Sequence, residues 1–185
     1  MECYTPLHLA ISSCNQSTIS TDEFIISTLL NTGADPNAIV QGNTPIEFAA
    51  RSGHVSIVAI LLKHGSDPNL ANEHTKMTSL HWACGGKGRE DIVSILLENG
   101  AKPHSRAAYN GMTPLIVATS SNRLGAVQTL LNHRDVDIHC HDDQCNTAVL
   151  LARERENLPI LRELMKARLQ ISPRPQMHGK LLLID

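Results

Sequence analysis

Aromatic side chains are scarce in this chain of 185 residues: one Trp, two Tyr and two Phe, 3% in all. A core built with so few of them relies on Leu, Ile, Val and Ala from closely spaced helices. Charge is nearly balanced, with a formal net charge of −2 and a sequence pI of about 6.5. The chain therefore lacks the basic field that binding to nucleic acid or an anionic membrane normally requires, and neither is expected as a partner. No apolar run reaches the length of a membrane span, and the start Met1-Glu2-Cys3-Tyr4 has neither the basic residues nor the apolar stretch of a secretory signal. The expected compartment is the cytoplasm, with the nucleus as an alternative. The five cysteines, Cys3, Cys14, Cys84, Cys140 and Cys145, are odd in number and scattered, which is no disulfide framework and fits reduced thiols. No Ser/His/Asp, Cys/His or paired-carboxylate constellation stands out, so no catalytic residue and no cofactor is assigned.

What the chain has instead is a phrase repeated five times: Thr5-Pro6-Leu7-His8-Leu9-Ala10, Thr44-Pro45-Ile46-Glu47-Phe48-Ala49, Thr78-Ser79-Leu80-His81-Trp82-Ala83, Thr113-Pro114-Leu115-Ile116-Val117-Ala118 and Thr147-Ala148-Val149-Leu150-Leu151-Ala152. The five Thr residues fall 39, 34, 35 and 34 positions apart, a period that signals stacked repeats. Between them a second phrase recurs as Leu29-Leu30-Asn31-Thr32-Gly33-Ala34-Asp35-Pro36-Asn37, Leu61-Leu62-Lys63-His64-Gly65-Ser66-Asp67-Pro68-Asn69 and Leu96-Leu97-Glu98-Asn99-Gly100-Ala101-Lys102-Pro103-His104. A weaker copy follows at Leu130-Leu131-Asn132-His133. Over roughly residues 1–169 the two phrases together resemble the ankyrin-repeat family. That resemblance implies an all-α solenoid of helix-turn-helix units joined by β-hairpin-like loops, a single array over 1–169. The stretch 170–185, which contains Pro173 and Pro175 and ends in Leu181-Leu182-Leu183-Ile184-Asp185, is expected to be an irregular or disordered tail.

Repeat two illustrates the local physics. Thr44 can cap a helix, Pro45 at its first position has no N–H to lose, and Glu47 completes the capping-box spacing. Ala49 has Ala counterparts in every repeat, where a small side chain lets helices approach. Ile57, Val58, Leu61 and Leu62 form one apolar stripe on the second helix, and Gly65 supplies the left-handed residue that ends it. Neither helix is long enough to persist alone, so stability belongs to the stack. At the Glu47 position repeats one and three carry His8 and His81. The family resemblance implies that such an imidazole bonds near the Thr hydroxyl and ties turns together, a structural role.

The copies also differ. Repeat one carries about seven extra residues within Ser12–Thr21, a polar stretch read as a surface loop. It is either a specificity element or a tolerated insertion. In repeat three, Cys84-Gly85-Gly86-Lys87-Gly88 follows a helix and lacks the G-K-[ST] ending of a phosphate loop, so it is read as a flexible turn. His139-Cys140-His141-Asp142-Asp143-Gln144-Cys145 concentrates potential metal ligands along one stretch with nothing elsewhere to complete a tetrahedron; it is read as a hairpin, with a metal-regulated site as the alternative. Charged Glu154, Arg155, Glu156, Arg162, Glu163, Lys166 and Arg168 make repeat five a candidate C-terminal cap.

By analogy with the family, the residues just before each Thr (Tyr4, Asn43, Met77, Met112, Asn146) would lie at hairpin tips. The second and third residues after each Ala, including Arg51 and Arg155, would face the concave side. With Tyr109, these residues are the candidate partner-binding set, Met77, Met112 and Tyr109 standing out as soft or aromatic groups. Met77 and Met112 packing on each other is the competing reading. The sole Trp, Trp82, has apolar counterparts in every repeat and is assigned to the scaffold. The expected function is a protein-interaction scaffold or adaptor, monomeric by itself, holding another protein. The alternative is a targeting module of a larger regulatory protein such as an effector or ubiquitin-ligase adaptor. The resemblance also implies possible hydroxylation sites at Asn37 and Asn69.

Overall fold

The computed structural model describes residues 4–14, 19–86, 90–108 and 110–171. Ten helices are present among them, in five pairs: α1 Pro6–Ser13 with α2 Ile19–Asn31, α3 Pro45–Ser52 with α4 Val55–Lys63, α5 Ser79–Gly85 with α6 Glu90–Glu98, α7 Pro114–Ser120 with α8 Leu124–Leu131, and α9 Ala148–Glu154 with α10 Leu158–Ile171. Each odd-numbered helix packs on its own partner and on the odd helices before and after it; the even helices form a second row in the same way. The result is two layers of helices with a continuous apolar core between them, containing Leu7, Ile46, Leu80 and Leu115 from the first row and Val58, Val93, Val127 and Leu164 from the second. The expected tail at 170–185 lies almost wholly outside the described residues.

The repeated phrases account for the helix ends. Every Thr of the first phrase has extended backbone and precedes the first turn, with Pro following it in three repeats. The doubled Leu of the second phrase serves twice. Its side chains face the core, and its carbonyls close the helix: Ser66 N–H donates to Leu61 O and Gly65 N–H to Leu62 O, both at 3.0 Å. Ala34 and Gly33, and Ala101 and Gly100, make the same pair of bonds to their own Leu residues. This closure needs a left-handed residue, and Gly65 supplies it with φ 86°. The Asn that ends the phrase then reaches across to the next repeat. Asn37 Nδ2 donates to Gly65 O at 3.0 Å while its Oδ1 accepts Asp67 N–H at 2.8 Å. Asn69 does the same with Gly100 O at 2.9 Å and Lys102 N–H at 2.8 Å.

No strand forms among the described residues. The connecting hairpins contribute isolated bridges, Val40 with Asn43, Ala71 with Thr78 and His141 with Thr147. Successive hairpins are joined by single backbone bonds: Glu73 N–H to Gly42 O, Ala108 N–H to Thr75 O and Asp143 N–H to Asn110 O. The turns peak one residue earlier than the sequence suggests. Left-handed backbone sits at Gln41 and Gly42, Lys76, Gly111 and Cys145, so Asn43, Met77, Met112 and Asn146 begin the returning arm.

In repeats one to three the buried residue three positions after the Thr ties the helices to the hairpins. His8 Nδ1 accepts from the Thr5 hydroxyl at 2.7 Å, and its Nε2 donates to Asn43 O at 3.3 Å. His81 Nδ1 accepts Thr78 N–H at 3.1 Å while Nε2 donates to Ser105 O and Met112 O, each at 3.1 Å. Burial holds both imidazoles below their ordinary pKa, and so neutral, against the carbonyl acceptors that favour the cation. Glu47 inverts the pattern, accepting where the histidines donate to carbonyls. Its Oε2 takes Thr44 N–H at 2.8 Å and its Oε1 takes Asn72 N–H at 3.1 Å. In repeat four the position is Ile116, and the buried Thr113 hydroxyl has no partner.

Candidate protein-binding surface

Four residues after the opening Thr of repeats two and three, the first-helix row carries Phe48 on α3 and Trp82 on α5, in the same register as Leu9, Val117 and Leu151. Arg51 lies one turn beyond Phe48 on the same helix, so the two side chains share a face. Its guanidinium carbon sits 5.1 Å from the Phe48 ring centroid and 5.4 Å from that of Trp82. Cation–π attraction to two rings holds it in place. Tyr4 meets Phe48 edge-on at 6.3 Å, His8 does so at 5.7 Å, and the Tyr4 hydroxyl donates to Gln41 Oε1 at 2.8 Å. One patch thus spans repeats one to three: Tyr4, His8, Phe48, Arg51 and Trp82.

The patch has an incomplete hydrogen-bond inventory. Among the described residues Arg51 has no hydrogen-bond or ion-pair partner, and the buried indole N–H of Trp82 has no acceptor. Beside it Gly86, at the end of α5, lies against α3; a Cβ there would lie 2.7 Å from Trp82 O and 3.0 Å from Arg51 O. Beyond it the first-helix ends carry Gly85, Ser120 and Ser121, all partly exposed and small.

Of the candidate set, Tyr4 and Arg51 come together here. Asn43 is half-buried and spent within the scaffold, its Nδ2 donating to Gln41 O and its Oδ1 accepting from Asn72 Nδ2 at 3.0 Å. Met77 and Met112 are half-buried on returning arms, Met112 against the core. Tyr109 lies outside the described residues, as do parts of two other sequence-marked stretches, 15–18 and 87–89. Asn146 turns back to Asp142 within its own hairpin. Arg155 donates to Ser120 O, joining repeats five and four. Trp82 packs against the core, as its assignment to the scaffold expects, but the meeting of Phe48 and Trp82 around Arg51 was not foreseen. The signal that could have found them is an aromatic residue three before an Arg on one helix, with a second aromatic in register on the next.

The 139–145 hairpin spends its polar groups on itself and on the preceding hairpin, Arg106 donating to His141 O at 2.7 Å and pairing with Asp143 at 2.9 Å. Cys140 Sγ donates to Asp137 Oδ2, His141 Nδ1 to Asp142 O, and buried Asp142 accepts the N–H groups of Gln144 and Asn146 at 2.9 and 2.8 Å. Burial raises the Asp142 pKa, but the bonds from Asn146 and Gln144 and the nearby His141 more than offset this and hold its carboxyl below the usual range. Among the described residues no three His, Cys, Asp or Glu side chains converge as a metal would require. Nor is any helix there long and apolar enough to cross a membrane.

Five stacked helix pairs with hairpins along one edge define a repeat solenoid. The ankyrin repeats family model matches it in three overlapping copies, over residues 2–72, 18–107 and 64–142, and the chain belongs to the ankyrin-repeat family. It is 27% identical over 125 residues to the human transient receptor potential cation channel subfamily A member 1, covering 68% of this chain and 8% of that protein. Similarity to the Drosophila melanogaster transient receptor potential channel pyrexia is 33% over 94 residues, 48% of this chain and 10% of that one. The human ankyrin repeat and MYND domain-containing protein 1 is 36% identical over 80 residues, 43% of this chain and 8% of its own. The chain thus spans a tenth or less of each relative. Ankyrin repeats are generally protein–protein interaction modules, and the family is typically non-catalytic.

Proposed function

We propose that this array is a scaffold that holds another protein against its first-helix row and hairpins. Tyr4, Arg51 and Trp82 form the centre, and Asn43, Met77, Tyr109, Met112, Asn146 and Arg155 the margins. The supporting observation is the Arg51 guanidinium held between Phe48 and Trp82: Arg, Trp and Tyr are the residue types that dominate interface energetics when they are held rigidly in advance. The chain acts as a monomeric, non-catalytic adaptor in the cytoplasm or nucleus. Affinity enrichment with mass-spectrometric identification tests this with an Arg51→Glu/Trp82→Ala variant and with Lys63→Glu on the exposed second row. Partners lost from the first and kept by the second support the reading. A folded first variant that keeps every partner refutes it.

A second reading, a targeting module within a larger regulatory protein, is favoured by the similarity to only a tenth or less of each relative. Mapping the full transcript distinguishes the two.

A further inference from the structure

Resting on that reading of the first-helix row, we propose that Arg51 is a receptor for one carboxylate, an Asp or Glu side chain flanked by an apolar residue in an extended segment of the partner. Three observations converge on this chemistry. The guanidinium is positioned in advance, stacked 5.1 Å from the Phe48 centroid and 5.4 Å from that of Trp82, so little side-chain freedom is left to lose on binding. Its donors have no acceptor among the described residues; Glu47, the acid on which its charge acts, is buried and bonded to Thr44 and Asn72. The surroundings are apolar, with Tyr4, Phe48 and exposed Leu9 on one side, while on the other Gly86 packs without a side chain against the Arg51 backbone.

A planar guanidinium presents a fork of donors that matches a carboxylate with two parallel bonds. Stacking uses the faces of the guanidinium and leaves its edge for the ligand, while the rings exclude water from around the pair. The flanking apolar residue of the segment then covers Leu9 or Trp82. A phosphoryl group is the poorer fit, because its greater charge calls for a cluster of cations. Among the described residues Arg51 is the one Arg on the first helices of repeats one to three; Arg153 and Arg155 lie in repeat five, where Arg155 is bonded to Ser120 O of repeat four.

The test pans a random phage-displayed peptide library on the full chain, with Arg51→Gln as counter-selection. Enriched peptides are synthesised with a fluorophore, and their affinities are read by anisotropy. The emission of Trp82, the only Trp in the chain, reports on the location of binding. The expected result is a single acidic position beside an apolar residue. Replacing that acid by its amide weakens binding about tenfold, Arg51→Gln weakens the parent peptide as much, and the two changes together cost no more than either alone. Arg51→Lys, which keeps the charge and loses the fork, recovers only part of the affinity. Peptides that need no acid, or whose acid matters equally in the Arg51→Gln chain, overturn the carboxylate assignment. If such peptides are still lost on Phe48→Ala or Trp82→Ala, the first-helix row keeps its role as a protein-binding surface. If nothing enriched depends on that row, both readings fall.

Discussion

Raising the pH from about 4.5 to about 7 is expected to weaken this fold through one side chain, Glu47. Its carboxyl is 1% exposed. Burial pushes its pKa up from 4.5 to about 7, while the bonds from Thr44 and Asn72 and the charge of Arg51 pull the other way and lose. The folded state therefore holds a proton that the unfolded chain releases. Its contribution is fully present below 4.5, declines as pH rises through the interval, and is gone above about 7. A shift of about 2.5 units corresponds to roughly 3 kcal/mol. His8 and His81 act in the opposite direction: their lowered pKa values give stability that is present above 6.5 and lost as pH falls below it. The wild-type curve mixes these effects, so the control is Glu47→Gln, which keeps the shape and cannot ionise. Urea unfolding of both proteins across this range, followed by helical circular dichroism, isolates Glu47 as their difference. That difference should shift by about 3 kcal/mol against the wild type and be flat above pH ~7. Parallel curves for the two proteins would refute the reasoning.

Three further outcomes are expected. Gly86→Ala brings a Cβ within 2.7 Å of Trp82 O at the end of α5 and within 3.0 Å of Arg51 O on α3, so it should strain the α5 cap and push α3 away, costing about 1–3 kcal/mol in thermal melts. Ile92→Ala removes a core side chain that is 1% exposed and should cost about 2–4 kcal/mol, whereas Ile25→Ala, in the same register of repeat one but 43% exposed, should cost under about 1 kcal/mol; equal losses would contradict the stacking described. Asn69→Ala removes both bonds to the next loop and should cost about 1–2 kcal/mol while speeding hydrogen exchange at Lys102 N–H.

The fold was legible because its signals are local and repeated. Thr44, Pro45 and Glu47 announce a helix start within four residues, and Leu61, Leu62 and Gly65 announce an end. The turn peaks were misread by one residue because Lys76 and Cys145 adopt left-handed backbone, which sequence rules look for in glycine. The aromatic patch around Arg51 was only half legible. Tyr4 and Arg51 could be picked by position, but Phe48 and Trp82 occupy a column that is apolar in every repeat, and aligning the copies makes such a column look like core. Their meeting with Arg51 depends on the distance between adjacent helices, a quantity no single repeat encodes. The Thr113 hydroxyl is the same kind of omission: Ile116 looks like a harmless apolar choice until the hydroxyl it fails to serve is found buried.

The Asn37 and Asn69 bonds have a consequence for how such a chain can change over generations. Each amide touches only main-chain atoms of the following unit: Gly65 O and Asp67 N–H for one, Gly100 O and Lys102 N–H for the other. Asp67 can thus become Lys102 one unit later without disturbing the joint. A linkage blind to side-chain identity lets units be duplicated, exchanged or worn down singly while the joints between them still close.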